Sequence, residues 1–316
     1  MQKRTFPKLL PTAGLERGAE LAVVPAYIAT IAFAEWLGAE GNLLVSLVYS
    51  MILLVILLAQ YVMMRPASYR QLLPALALVP LMRILSLVMP VRFVPAIYWY
   101  VLINLPLLLA IFLAAQLLRA TPRELGLRMR AWPTQLAIAV VGVPLGLAAF
   151  LILRPAPLVR LSTLDAPHLV SGAAILLVFV GFTEELLFRG LLQREAEVVF
   201  GRLGLAFSSL LFAIMYIGSQ SVGYVLFMGL VGLFYGWCVR RTGSIWGAAL
   251  SHGLLAIGLV LIWPLAQRQL GAESFDQITA FFQLAAWMLL AIGLGLGALA
   301  LFHLARRAAA GRARPS

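Results

Sequence analysis

Two adjacent carboxylates and an arginine, in Thr183-Glu184-Glu185-Leu186-Leu187-Phe188-Arg189-Gly190, are the residues of this chain best placed to do chemistry. They sit in an apolar run from His168 to Leu192, long enough to cross a bilayer as one helix. Ionisable groups in hydrocarbon are costly and mark functional sites. Arg189 lies one helical turn from Glu185 and can pair with it. Glu184 is displaced by about 100° around the helix and so faces a different neighbour. The pattern predicts one acid held by arginine and a second free to move a proton. The competing reading is three charges solvated at a membrane interface.

The elements that must position these residues follow from composition. Of 316 residues, 11% are charged and 63% hydrophobic, and the mean hydropathy is +0.98. A soluble domain of this length carries about 25% charged residues. The expected fold class is therefore all-α, a polytopic transmembrane helical bundle of about ten spans. Apolar runs fall near 21–38, 42–64, 72–90, 94–118, 134–154, 168–192, 203–217, 218–239, 244–263 and 278–305. The seventh is short, and the third, with Pro74, Pro80 and Arg83, reads as kinked or partly inserted. The first run reads as a retained span, because no short apolar stretch with a small-residue cleavage site precedes it. With the N-terminus inside, 18 Lys and Arg fall in cytoplasmic segments against four outside (Arg92, Arg154, Arg160 and Arg268), and Arg83 and Arg189 within helices complete the 24. This asymmetry predicts an N-in, C-in orientation. The scatter of basic residues among membrane loops, despite a net charge of +12, excludes a nucleic-acid partner. The lone Cys238 forms no disulfide framework and reads as a small core residue. The basic end, Arg306 to Ser316, reads as a segment touching anionic headgroups. Thr121-Pro122-Arg123-Glu124 reads as a helix start.

In this topology Glu184 lies about 14 Å below the cytoplasmic end of its span, His252 about 12 Å in, and Tyr216 about 20 Å in. Two acids, an imidazole and a phenol from three consecutive spans can therefore converge. Such a set suits water activation, or one metal bound by carboxylate and imidazole. For His252 alone, the plain reading is a core histidine bonded to a backbone carbonyl. Gly229, Gly232 and Gly236, and likewise Gly293, Gly295 and Gly297, read as close-packing helix faces, not as a nucleotide loop.

Glu184-Glu185-Leu186-Leu187-Phe188-Arg189 resembles the Glu-Glu-x-x-x-Arg motif of the CAAX-protease and bacteriocin-processing (CPBP, or Abi) family of intramembrane endopeptidases. Arg241-Thr242-Gly243-Ser244-Ile245-Trp246 with Ser251-His252 resembles that family's third motif and its approach. Leu125-Gly126-Leu127-Arg128 resembles an element often found ahead of its core. The likeness spans roughly 120 to 260. It implies a protease core over 119–263, preceded by a basic segment 1–20 and helices 21–118 outside the likeness, and followed by a last helix and tail over 264–316. By the same resemblance Glu184 is the general base, supported by Glu185 and Arg189, and His252 is the third-motif histidine. Phe212, opening the second motif, is assigned to substrate binding.

Two positions depart from the family. Phe212-Ala213-Ile214-Met215-Tyr216 has tyrosine where histidine is usual, and His252-Gly253-Leu254-Leu255-Ala256 lacks the terminal amide or acid. A phenol donates to an oxyanion at neutral pH but does not share general-base work. With Tyr216 in place, Glu184 and His252 are the remaining candidate zinc ligands, and the expectation is weak zinc binding or none. Three functions follow. The first is an endopeptidase acting on a prenylated or hydrophobic membrane-associated peptide. The second is a pseudoprotease that binds such peptides or membrane-protein partners. The third is a solute or proton-coupled transporter, which has no inverted repeat to support it. The expected location is a bacterial-type plasma membrane, with the site opening to the cytoplasmic half.

Overall fold

In the computed structural model, residues 13–64, 69–90, 93–156, 166–280, 282 and 284 are described. Every regular element among them is helical. The chain runs α1 (Ala13–Ala39), α2 (Leu43–Met63), α3 (Leu72–Val88), α4 (Trp99–Leu117) and α5 (Trp132–Leu153). A long continuous helix follows, α6 (166–200), then α7 (Leu203–Ile214), α8 (Val222–Thr242) and α9 (Trp246–Leu270). Among the described residues, six helices are long and apolar enough to span a membrane: α2, α4 with its preceding turn from Ala96, α5, α6, α8 and α9. The chain is an integral, multi-pass membrane protein. Leu72–Val88 and Leu203–Ser219 are apolar but shorter. The tenth expected span, near 278–305, lies almost wholly outside the described residues, as do Gly293, Gly295, Gly297 and the basic tail.

α3 differs from a lipid-facing span. Leu72 through Pro80 are buried without interruption. α3 packs against α2, α4 and the 186–200 part of α6, which leaves Leu72–Pro80 without a lipid face, whereas the second half of the helix is partly exposed and Val88 is 57% exposed. Peripheral α2, by contrast, shows Leu44, Val62 and Met63 at 73%, 74% and 83% exposure, as side chains directed at acyl tails do.

α6 continues to Phe200 and does not end near Gln193. Its last turns are amphipathic, and hydropathy alone underweights them. Glu195 and Ala196 are buried while Val198 is exposed. Two stretches, Leu176–Phe182 and Leu186–Leu192, are π-helical and flank the three-residue α-turn Thr183–Glu185. The Thr183 hydroxyl donates to the Val178 carbonyl five residues back at 3.1 Å, in keeping with the widened turns. Such insertions rotate side chains relative to a regular helix and recur at functional sites.

α9 is held against α5 and α6 by glycines. A Cβ on Gly181 would run into the Ala249 carbonyl and the Gly253 backbone, and one on Gly253 into Leu177. Gly142 meets the Ser251 backbone in the same way. In a bilayer, where helices gain nothing by hiding from water, close backbone approach supplies the packing attraction. On α8, Gly232 and Gly236 admit side chains of α6 and α7. Ser221 caps α8 by accepting from the Tyr224 N–H at 3.3 Å, and Gly243 (φ 69°) ends it.

The loop between α4 and α5 is fastened to the same core. Thr121 N–H donates to Glu124 Oε2 (2.9 Å) and Glu124 N–H to Thr121 Oγ1 (3.3 Å), a reciprocal capping box. It closes a single turn and does not start a helix, because the chain reverses at Gly126 (φ 72°). The Gly126 carbonyl then accepts from Ile245 N–H (3.0 Å), and the Leu127 carbonyl from the Trp246 indole (2.9 Å).

Candidate active site

α6 brings Glu184, Glu185 and Arg189, α9 brings His252, and Tyr216 follows the last turn of α7. The structure places all five in one connected group. Arg189 donates to Glu185 Oε1 at 2.9 Å within α6, and to the Gly232 carbonyl of α8 at 3.3 Å. His252 Nδ1 lies 3.0 Å from the same Glu185 Oε1. A carboxylate paired with guanidinium can only accept, so Nδ1 carries the proton and Nε2 is left as an acceptor in the neutral ring. Nε2 points at the Tyr216 hydroxyl (3.4 Å) and stands 3.9 Å from Glu184 Oε2. The Tyr216 hydroxyl in turn donates to Glu184 Oε2 at 3.2 Å.

Burial makes the arrangement electrostatically strong. Glu185 is fully buried, and His252, Arg189 and Glu184 are 1%, 3% and 8% exposed. Tyr216 is half-buried, so the group opens beside its phenol and Glu184. A charge in such surroundings must be paired. Arg189 balances Glu185, and the Tyr216 hydroxyl supplies the hydrogen bond to Glu184.

Aromatic rings fix the imidazole and the guanidinium. Phe212 is fully buried, with its ring centroid 4.1 Å from the Arg189 guanidinium carbon and its edge toward His252 at 5.5 Å. It also packs edge-to-face with Phe188 and Tyr216, and the guanidinium lies over its ring. Tyr235 of α8 lies under His252 at 6.0 Å and donates to Ser251 Oγ at 3.0 Å. Tyr235, Ser251 and the Gly232 carbonyl were not legible as site residues. The one available signal was Gly232 in the glycine series of α8, where a Cβ would crowd both Phe212 and Arg189.

A catalytic zinc takes three protein ligands and an open position. Glu184 Oε2 and His252 Nε2 face the same space, but Glu185 and Nδ1 are engaged with each other. Among the described residues no three His, Cys, Asp or Glu side chains gather as a metal site. The neutral phenol of Tyr216 is a poor third ligand, so these residues do not fit a zinc site of that kind.

A second opening lies where the α4–α5 loop meets α6 and α8. This cavity of about 520 Å³ is lined by Arg123, Glu124, Arg194, Glu197 and Arg240, and extends down to Gln193 and Arg189.

No curated protein and no solved structure matches the chain. One family model does match, described as type II CAAX prenyl endopeptidase, Rce1-like, over residues 166–258. That stretch holds Glu184, Glu185, Arg189, Tyr216 and His252 together with the glycine contacts that join α6 to α9. Residues 166–258 of this chain are a domain of the Rce1-like CAAX prenyl endopeptidase family.

Proposed function

We propose that the chain is an intramembrane endopeptidase of CAAX-protease type, in which Glu184 activates water to hydrolyse a peptide bond of a prenylated or otherwise membrane-anchored substrate. The observation that carries this reading is the Tyr216 hydroxyl, within 3.2 Å of Glu184 Oε2 and 3.4 Å of His252 Nε2, in a buried group inside the family domain. A water at the open side of this triangle gives one proton to Glu184 while its second hydrogen is oriented by Nε2. The water oxygen bonds to the carbonyl carbon. The carbonyl oxygen, now an oxyanion, accepts from the Tyr216 O–H. Glu184 then passes its proton to the departing amine nitrogen as the C–N bond breaks. Glu185, neutralised by Arg189, holds the imidazole through Nδ1, as a buried carboxylate does in a hydrolase triad. The arginine-rich end of the bundle is read as cytoplasmic by the positive-inside asymmetry, and the 520 Å³ cavity lies at that end and reaches Arg189.

The test is cleavage of a library of membrane-anchored and prenylated peptides by purified protein in detergent, wild type beside Glu184→Gln. Turnover by the wild type and its loss in the variant is expected. Equal cleavage by both removes Glu184 as the base. Absence of turnover in wild type, with both proteins folded, overturns the enzyme reading in favour of peptide binding.

A further inference from the structure

A second polar feature lies outside this group, on the loop between α4 and α5. Arg123, Arg128 and Arg130 line a cavity of about 380 Å³ together with Met129, and no acidic side chain lines it among the described residues. Glu124, next in sequence to Arg123, is engaged by Thr121 and by Arg194 at 3.3 Å. The loop backbone that carries the arginines is fastened at its middle. Arg119 and Ala131, at its two ends, adopt positive φ (50° and 49°), and the Gly126 and Leu127 carbonyls are bonded to Ile245 and Trp246. Three guanidinium forks on a preset backbone match the oxygens of a phosphate better than mobile lysines do, and less order is lost on binding.

Location selects the source of that phosphate. The loop joins the end of one membrane helix to the start of another, so the cavity stands at the bilayer edge. Met129 and Trp132 beside it are 63% and 66% exposed. Indole and thioether in that position suit the headgroup–acyl boundary, not bulk water. We propose that Arg123, Arg128 and Arg130 form a binding site for the phosphodiester of an anionic glycerophospholipid headgroup, with Met129 and Trp132 resting on its acyl region. Arg123 also lines the 520 Å³ cavity, and the lipid site requires no peptidase activity.

The experiment is native mass spectrometry of the full chain in micelles holding equal phosphatidylglycerol and phosphatidylcholine. Wild type is expected to retain phosphatidylglycerol preferentially, and to lose the preference as ionic strength rises. Arg123→Gln/Arg128→Gln/Arg130→Gln should lower the preference by roughly fivefold for each arginine removed. The charge-matched Arg202→Gln/Arg241→Gln/Arg268→Gln should keep it. No preference in wild type, or an equal loss in both triple variants, overturns the site. Displacement of phosphatidylglycerol from wild type by inorganic phosphate in salt-matched buffer shows a free-anion site and overturns the lipid assignment.

Discussion

Replacing Tyr216 by phenylalanine removes one oxygen and leaves the ring. That ring packs edge-on against Phe212 at 5.2 Å and Tyr224 at 5.6 Å, and both contacts survive the change. The lost hydroxyl donates to Glu184 at 3.2 Å, a long bond of its kind, with His252 Nε2 at 3.4 Å as the alternative acceptor. A hydrogen bond to a charged group contributes about 1.5–3 kcal/mol. The length and the open side place this one at the lower end, so Tyr216→Phe should unfold only slightly earlier than wild type. Its effect on turnover should be larger. Loss of one oxyanion donor costs about 10²–10³ in kcat, or roughly 2.7–4 kcal/mol of transition-state stabilisation. The assay is kcat and KM on a cleaved membrane-anchored peptide, with thermal unfolding in the same detergent and Glu184→Gln as the zero. A kcat equal to wild type in a folded Tyr216→Phe protein refutes the oxyanion role. A change confined to KM makes Tyr216 a ground-state contact.

Glu185→Gln leaves the Arg189 guanidinium buried without its counter-charge, and should cost about 3–5 kcal/mol in an unfolding titration. Adding Arg189→Met to that variant should recover part of the loss, and no recovery speaks against the buried pair as its source. Gly181→Ala puts a methyl group into the Ala249 carbonyl and the Gly253 backbone. An overpacking cost of about 1–3 kcal/mol is expected, with a fall in kcat as α6 and α9 part; undiminished activity would mean that this contact does not position Glu184 against His252. In the α4–α5 loop, the Thr121 N–H holds the Glu124 carboxyl below the usual glutamate range, assisted by Arg194. A depressed folded-state value means that the contribution is present above the unfolded value and lost as pH falls through the folded one. The stability difference between wild type and Glu124→Gln, about 1 kcal/mol near neutrality as for a helix cap, should therefore shrink as pH drops below about 4.3. A difference independent of pH would show that charge plays no part.

Some of this protein was determined by its sequence alone, because the physics involved is local. Solvent preference along the chain marks apolar helices wherever a run is long enough, and α2, α4, α5, α8 and α9 fall where those runs lie. The Glu185–Arg189 pair needs only a separation of four residues along one helix, and it forms within α6 although Leu186–Leu192 is π-helical. The similar depths of Glu184, Tyr216 and His252 follow from rise per residue alone. The tertiary structure decided what depends on neighbours distant in sequence. Depth said that His252 could reach the acids but not which nitrogen meets which carboxylate. The backbone contacts of Gly181 and Gly253 and the rings of Phe212 and Tyr235 set that register, so that Nδ1 meets Glu185 and Nε2 faces Tyr216. The same holds for α3, whose proline-bearing apolar sequence reads equally well as a lipid-facing or an enclosed helix until its neighbours are known. The amphipathic end of α6 escaped hydropathy because its buried acid is covered by other elements. Hydropathy and helical periodicity are properties of one segment, whereas the orientation of an imidazole is a property of everything packed around it.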